Sequence, residues 1–143
     1  MTKVVGVVLL AAATAAPTYA NVNGGRRTCG IVSVTSPDRP RVRGSFSATK
    51  TLDLQFRMLL TNKDDDGHVV TFRVTTPKGR LYQEIQVPHR DAAGKRVSAI
   101  LGRLPLTGTP ISTSSLYGRW RVAPYVDGSL RPCAAASVFS IVK

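Results

Sequence analysis

From residue 51 onward the chain alternates apolar and polar residues with a period of two, the mark of strands with one face buried. In TLDLQFRMLL (51–60), Leu52, Leu54, Phe56, Met58 and Leu60 fall on one side, with Asp53, Gln55, Arg57 and Leu59 on the other. HVVTFRVTT (68–76) sets Val70, Phe72 and Val74 inward and Arg73 outward. GRLYQEIQV (79–87) alternates Leu81, Ile85 and Val87 with Tyr82, Glu84 and Gln86, and Gln83 breaks the phase. KRVSAILGRL (95–104) is a weaker strand. LYGRWRVAPYV (116–126) places Trp120, Val122 and Val126 opposite Arg119, Arg121 and Tyr125. AAASVFSIVK (134–143) ends the series with Phe139 and Ile141 inward. No helical period of useful length follows residue 20, and PLTGTPISTSS (105–115) reads as an irregular connection.

The turns between these runs have their own chemistry. Thr76-Pro77-Lys78-Gly79 suits a type I turn, with proline second and glycine fourth. Asp66-Gly67 and Asp127-Gly128 are hairpin signals, since glycine accepts a positive φ. Ahead of the series, CGIVSVT (29–35) and RVRGSF (41–46) read as one edge strand kinked at PDRP (37–40). That makes about seven strands, and seven short strands separated by turns predict an all-β, antiparallel sandwich.

Residues 1–20 are of a different kind. Lys3 precedes the apolar run VVGVVLLAAATAA (4–16), and Thr18 and Ala20 are small residues at the −3 and −1 positions of a cleavage site. This pattern predicts a signal peptide cut near Ala20 and export to the periplasm or the extracellular space. The run is short for a bilayer span, and none is expected in the mature chain. A flexible arm (21–28) and a single domain (29–143) would remain.

Export changes the reading of the two cysteines. In an oxidising compartment an even count implies one disulfide, here Cys29–Cys133. The strand count agrees with it. If each of seven strands reverses the last, the first and seventh run parallel, and Cys29 and Cys133 begin theirs at the same end.

Two stretches resemble known modules. VTFRVTTPKGRLYQ (70–83) is similar to the central hairpin of bacterial immunoglobulin-like modules of the fibronectin type III or macroglobulin-like kind. LYGRWRVAPYVDGSL (116–130) resembles their penultimate strand, where Gly-x-Trp-x-Val leads to an Asp-Gly turn. The cysteines depart from the antibody pattern, because they mark the first and last strands. The resemblance implies an immunoglobulin-like sandwich used in binding, adhesion or as a structural accessory, with no catalytic residues.

The charge adds a candidate partner. Twenty Lys and Arg stand against eight Asp and Glu, a net +12 for the whole chain. Arg57, Arg73, Arg119 and Arg121 occupy outward positions. On neighbouring strands they would form a stripe able to fork onto carboxylates or phosphates, as in an acidic glycan of the cell envelope. The bases form no long block and few aromatics accompany them, so nucleic acid gains no specific support. An unidentified protein of the envelope is the other expected partner.

The acids cluster as well. The strand count gathers loops 62–67, 88–94 and 127–132 at the end that holds the cysteines. Asp64, Asp66, His68, His89 and Asp91 could there offer ligands to calcium or zinc, although no cofactor is the primary expectation. Asn62, Asp64, Asp66 and Gly67 match the start of an EF-hand loop, but Arg73 stands where the bidentate Glu belongs. A hairpin tip needs the same residues whether or not it binds metal. A small secreted hydrolase would have to combine His68 or His89 with Ser114, Ser115 or Ser129, and no nucleophile elbow appears.

Overall fold

The computed structural model describes residues 28–61, 67–90 and 95–143. The expected signal peptide (1–20), residues 21–27 of the expected arm, and Asp64, Asp66 and Asp91 lie outside the described residues. Thr28, the last residue of that expected arm, already belongs to a strand.

The chain folds as a β-sandwich of two sheets. Sheet I contains β1 (Thr28–Cys29), β2 (Ser33–Thr35), β4 (Asp53–Thr61) and β7 (Val97–Pro105). Sheet II runs in the order β3 (Ser45–Ser47), β9 (Ser137–Val142), β8 (Gly118–Val126), β5 (His68–Thr75), β6 (Leu81–His89). A one-turn helix, α1 (Pro110–Thr113), interrupts the irregular connection between β7 and β8 and buries Ile111.

The first strand is the main departure from the sequence reading. β1 and β2 pair antiparallel with β4 in sheet I, whereas β3 pairs parallel with β9 in sheet II. The expected edge strand is thus one topological position divided between two sheets. The Pro-rich kink makes the transfer and is tied down by side chains. The Ser36 hydroxyl donates to Asp38 Oδ1 (2.7 Å), and Asp38 Oδ2 accepts from the Leu52 backbone N–H (3.2 Å). Arg39 Nε donates to the Lys50 carbonyl (2.8 Å). The expected parallel run of first and last strands holds in the β3–β9 pair, and Cys29 and Cys133 form a disulfide with Cα atoms 5.7 Å apart.

Alternation places the core between the sheets. Leu54, Phe56, Met58 and Leu60 from β4 meet Val70, Phe72 and Val74 from β5, and Trp120 and Val122 from β8, all fully buried. Phe56 touches both Phe72 and Phe139, with ring centroids 6.0 and 5.8 Å apart. Burying each such side chain contributes about 1.5–3 kcal/mol. Trp120 is a core residue, as its phase predicts, and its indole N–H donates to the Leu116 carbonyl (3.0 Å). Leu52 is instead exposed, because it precedes β4 and its carbonyl accepts from Leu106 across the sheet edge. On β6 the register shifts opposite Val74 and Thr75, so the phase break at Gln83 marks a bulge. The bulge turns Tyr82 against Trp120 (centroids 5.2 Å, edge-on) and Leu81 outward, the reverse of simple alternation.

Candidate functional site

Two places bring chemically capable side chains together. The first is at the end of the sandwich where β5 begins and β6 and β8 finish. His68 and His89 are cross-strand partners on the inward phase of the β5–β6 pair. Val126 accepts from the Ser129 N–H (3.1 Å), and φ is positive at both Asp127 (51°) and Gly128 (68°), which fits a type I′ turn. That turn carries the Asp127 carboxylate back onto β5. Oδ2 lies 2.9 Å from His68 Nδ1, and Oδ1 accepts from the Val69 N–H at 2.9 Å. The Asp127 N–H in turn donates to the Val69 carbonyl (2.9 Å).

Beside this clamp lies an open hollow of about 440 Å³, lined by residues 67–69, 88–90 and Asp127. An imidazole oriented by a carboxylate is half of an acyl-transfer device. The other half, a nucleophile, is not supplied by the described residues of this lining, among which there is no Ser, Thr or Cys. Ser114 and Ser115 follow α1 at the opposite end of the sandwich, and the Ser129 hydroxyl accepts from the Arg131 N–H (3.2 Å). Among the described residues, no three His, Cys, Asp or Glu side chains are grouped as a metal ion would require. His68 and His89 do come together, and Asp127 joins them; the strand count gathers its loop at this same end, although Asp127 was not among the expected ligands.

The second place is the outer face of sheet II, where the expected arginine stripe divides. Arg57 does not belong to it, because β4 lies in sheet I, where Arg57 pairs with Leu101 and Ser33. Arg73 is on the right face but already engaged. Its Nε donates to Glu84 Oε1 (2.6 Å), and its guanidinium sits 4.1 Å from the centre of the Tyr125 ring. The hydrogen bond to Glu84, with a smaller one to Tyr125, raises this guanidinium further above its ordinary range.

Arg119 and Arg121 remain, two residues apart on β8 and both exposed. They line a groove of about 600 Å³ with Lys78, and Ala123, Ala136 and Val138 are among its apolar lining. Lys78 comes from the β5–β6 turn, closed by the Gly79 N–H donating to the Thr76 carbonyl (2.9 Å) as its sequence predicts. Gly118, at φ +130°, opens β8 directly beneath this turn. A Cβ there would lie 3.0 Å from Pro77 Cγ, so glycine lets the turn close over the strand. Among the described residues, no acidic side chain lines the groove. The alternation reading missed Lys78, although its position in a Pro-Lys-Gly turn was visible.

No family model matches the chain, and no curated protein matches it. Among solved structures it is similar to the CARDB domain of a Pyrococcus furiosus protein determined in complex with di-metal ions. The identity is 16% and the TM-score 0.43, over 87% of this chain and 99% of that one.

Proposed function

We propose that this protein is a non-catalytic binding domain that works outside the cytoplasm and holds anionic partners on the outer face of its five-stranded sheet. The observation that carries the reading is the groove in which Lys78, Arg119 and Arg121 meet with no acid among its described lining residues. Guanidinium groups suit carboxylate, sulfate and phosphate oxygens because they can donate two parallel hydrogen bonds. Export is part of the proposal, supported by residues 1–20 and by a disulfide of the kind that persists in oxidising compartments. Retention on a heparin column that weakens steeply between about 50 and 200 mM salt is the expected behaviour. Flow-through at about 50 mM salt, with no binding to any other polyanion, would end the proposal.

A protein partner is the second reading. Leu59, Val97 and Leu101 lie exposed on the outer face of sheet I, and cross-strand pairing brings β4 and β7 together there. Recovery of the same envelope protein by wild type and by a Leu59→Asp, Leu101→Asp variant would remove this reading.

A further inference from the structure

We propose that the groove between the β5–β6 turn and strands β8 and β9 is a subsite for an acidic polysaccharide, a chain of pyranose rings bearing carboxylate or sulfate groups. The assignment rests on the reading of the domain as an anion binder and specifies what kind of anion it takes.

The groove has two surfaces of different character. Its cations stand in two places, Lys78 in the hairpin turn and Arg119 and Arg121 on β8. Residues i and i+2 of a strand project from the same face about 6.8 Å apart, so the two guanidiniums can engage successive anionic groups of one extended chain. The apolar part is built from small residues. Val138 is the cross-strand partner of Arg121, and Ala123 and Ala136 line the groove beside it. Short side chains leave a shallow apolar surface on which the C–H face of a sugar ring can lie while its charged substituents reach the rim. The volume falls within the usual range of about 300–1,000 Å³ for small-molecule sites.

Two neighbouring contacts narrow the ligand class. Among the described residues lining the groove none is aromatic. Tyr125, outward on the same strand, has its ring covered by the Arg73 guanidinium. Single-stranded nucleic acid is held by stacking bases on aromatic rings, and the described lining offers no ring beside its cations. The Arg73–Glu84 pair also bounds the site, since the two charges already meet each other and extend no further cation toward β6.

The test uses the purified protein and five probes: polygalacturonate, heparin, neutral dextran, single-stranded DNA and vesicles of phosphatidylglycerol. Polygalacturonate or heparin should bind, dextran should not, and DNA and vesicles should bind at least about tenfold more weakly than the better polysaccharide. Replacing Lys78, Arg119 and Arg121 together by Ser should weaken polysaccharide binding by at least about tenfold. A control lacking Arg41, Arg57 and Arg96 loses the same charge from other exposed positions and should keep most of the affinity. Arg119→Lys with Arg121→Lys keeps the charge but removes the forked donors, and should still lose several-fold. All variants alter exposed side chains, and an unchanged melting temperature shows that each is folded. Equal losses in the triple variant and its control would overturn the groove while leaving anion binding intact. DNA or vesicles bound as tightly as the polysaccharides would overturn the ligand class alone. No binding to any of the four anionic probes would overturn both this assignment and the function it rests on.

Discussion

Gly102 and Phe72 meet across the interior of the sandwich with no room between them. A Cβ on Gly102 would stand 2.8 Å from Cδ2 of the Phe72 ring, which is itself fully buried. The glycine on β7 is the recess that lets the β5 ring sit between the sheets. Gly102→Ala should therefore destabilise the fold by about 1–3 kcal/mol despite the usual gain from replacing glycine in a strand. Urea denaturation measures this, and adding Phe72→Leu should recover part of the loss in a double-mutant cycle. An alanine variant as stable as wild type would mean that the sheets separate more readily than this contact implies.

The Asp127 clamp makes a graded prediction. Asp127→Ala removes the acceptor for the Val69 N–H, leaves the buried His68 without its carboxylate contact, and puts alanine at φ 51°. The expected cost is about 2–4 kcal/mol. Asp127→Asn tolerates the left-handed backbone and retains an acceptor, so it should cost about 1 kcal/mol less. Equal denaturation midpoints for the two variants would show that neither the turn conformation nor the acceptor matters there.

Asp38 gives the acid limb a specific contributor. Its carboxyl is held below the ordinary carboxylate range, chiefly by the hydrogen bond from the Ser36 hydroxyl; burial opposes this, and the Leu52 N–H adds to it. A depressed folded value means that the ionised form stabilises the fold. The contribution is complete above about pH 5, begins to fall as pH nears the unfolded value of about 4, and disappears as pH falls through the folded value. Asp38→Asn should therefore melt below wild type at neutral pH, by less than about 1 kcal/mol because the group is exposed. The difference should shrink below pH 4. A gap that stays constant down to pH 2.5 would contradict this account.

Loss of the Cys29–Cys133 bond frees a loop of 104 residues in sequence separation. A Cys29→Ser, Cys133→Ser variant should lose about 2–5 kcal/mol. Thermal melts of the variant and of the reduced wild type should agree with each other. A reduced protein as stable as the oxidised one would show that strand pairing alone holds the ends of the domain.

Alternation carried most of the fold, and its failures have local causes. Leu54 to Leu60 and Val70 to Val74 are buried as a period of two requires, because each belongs to an uninterrupted strand with one face inward. Leu81 and Tyr82 exchange roles because a bulge shifts the phase by one residue, and Gln83 recorded that the phase broke without saying where. The transfer of the first strand between sheets depends on which neighbours β2 and β3 pair with, a non-local property absent from a pattern read along the chain. The same limit applies to the arginines. Outward phase was right for Arg57, Arg73, Arg119 and Arg121, but phase does not state which sheet a strand joins or whether an acid is waiting across the register. The groove became visible only when β8 and the Pro77-Lys78-Gly79 turn were placed side by side.

The disulfide has a mechanical meaning as well. Tension entering the domain at Cys29 and leaving at Cys133 passes through a covalent bond and bypasses the residues between them. Unfolding those residues could otherwise lengthen the tether by roughly 350 Å, at about 3.4 Å per residue. With the bond closed, only chain outside the loop can be drawn out. There the parallel β3–β9 pair stands in the way, its hydrogen bonds loaded together in shear as β9 is pulled along its own axis. Lys78, Arg119 and Arg121 lie inside the closed loop, so the cations of the groove would be carried on chain that this tension does not extend, whereas Ala136 and Val138 stand on the segment that is pulled.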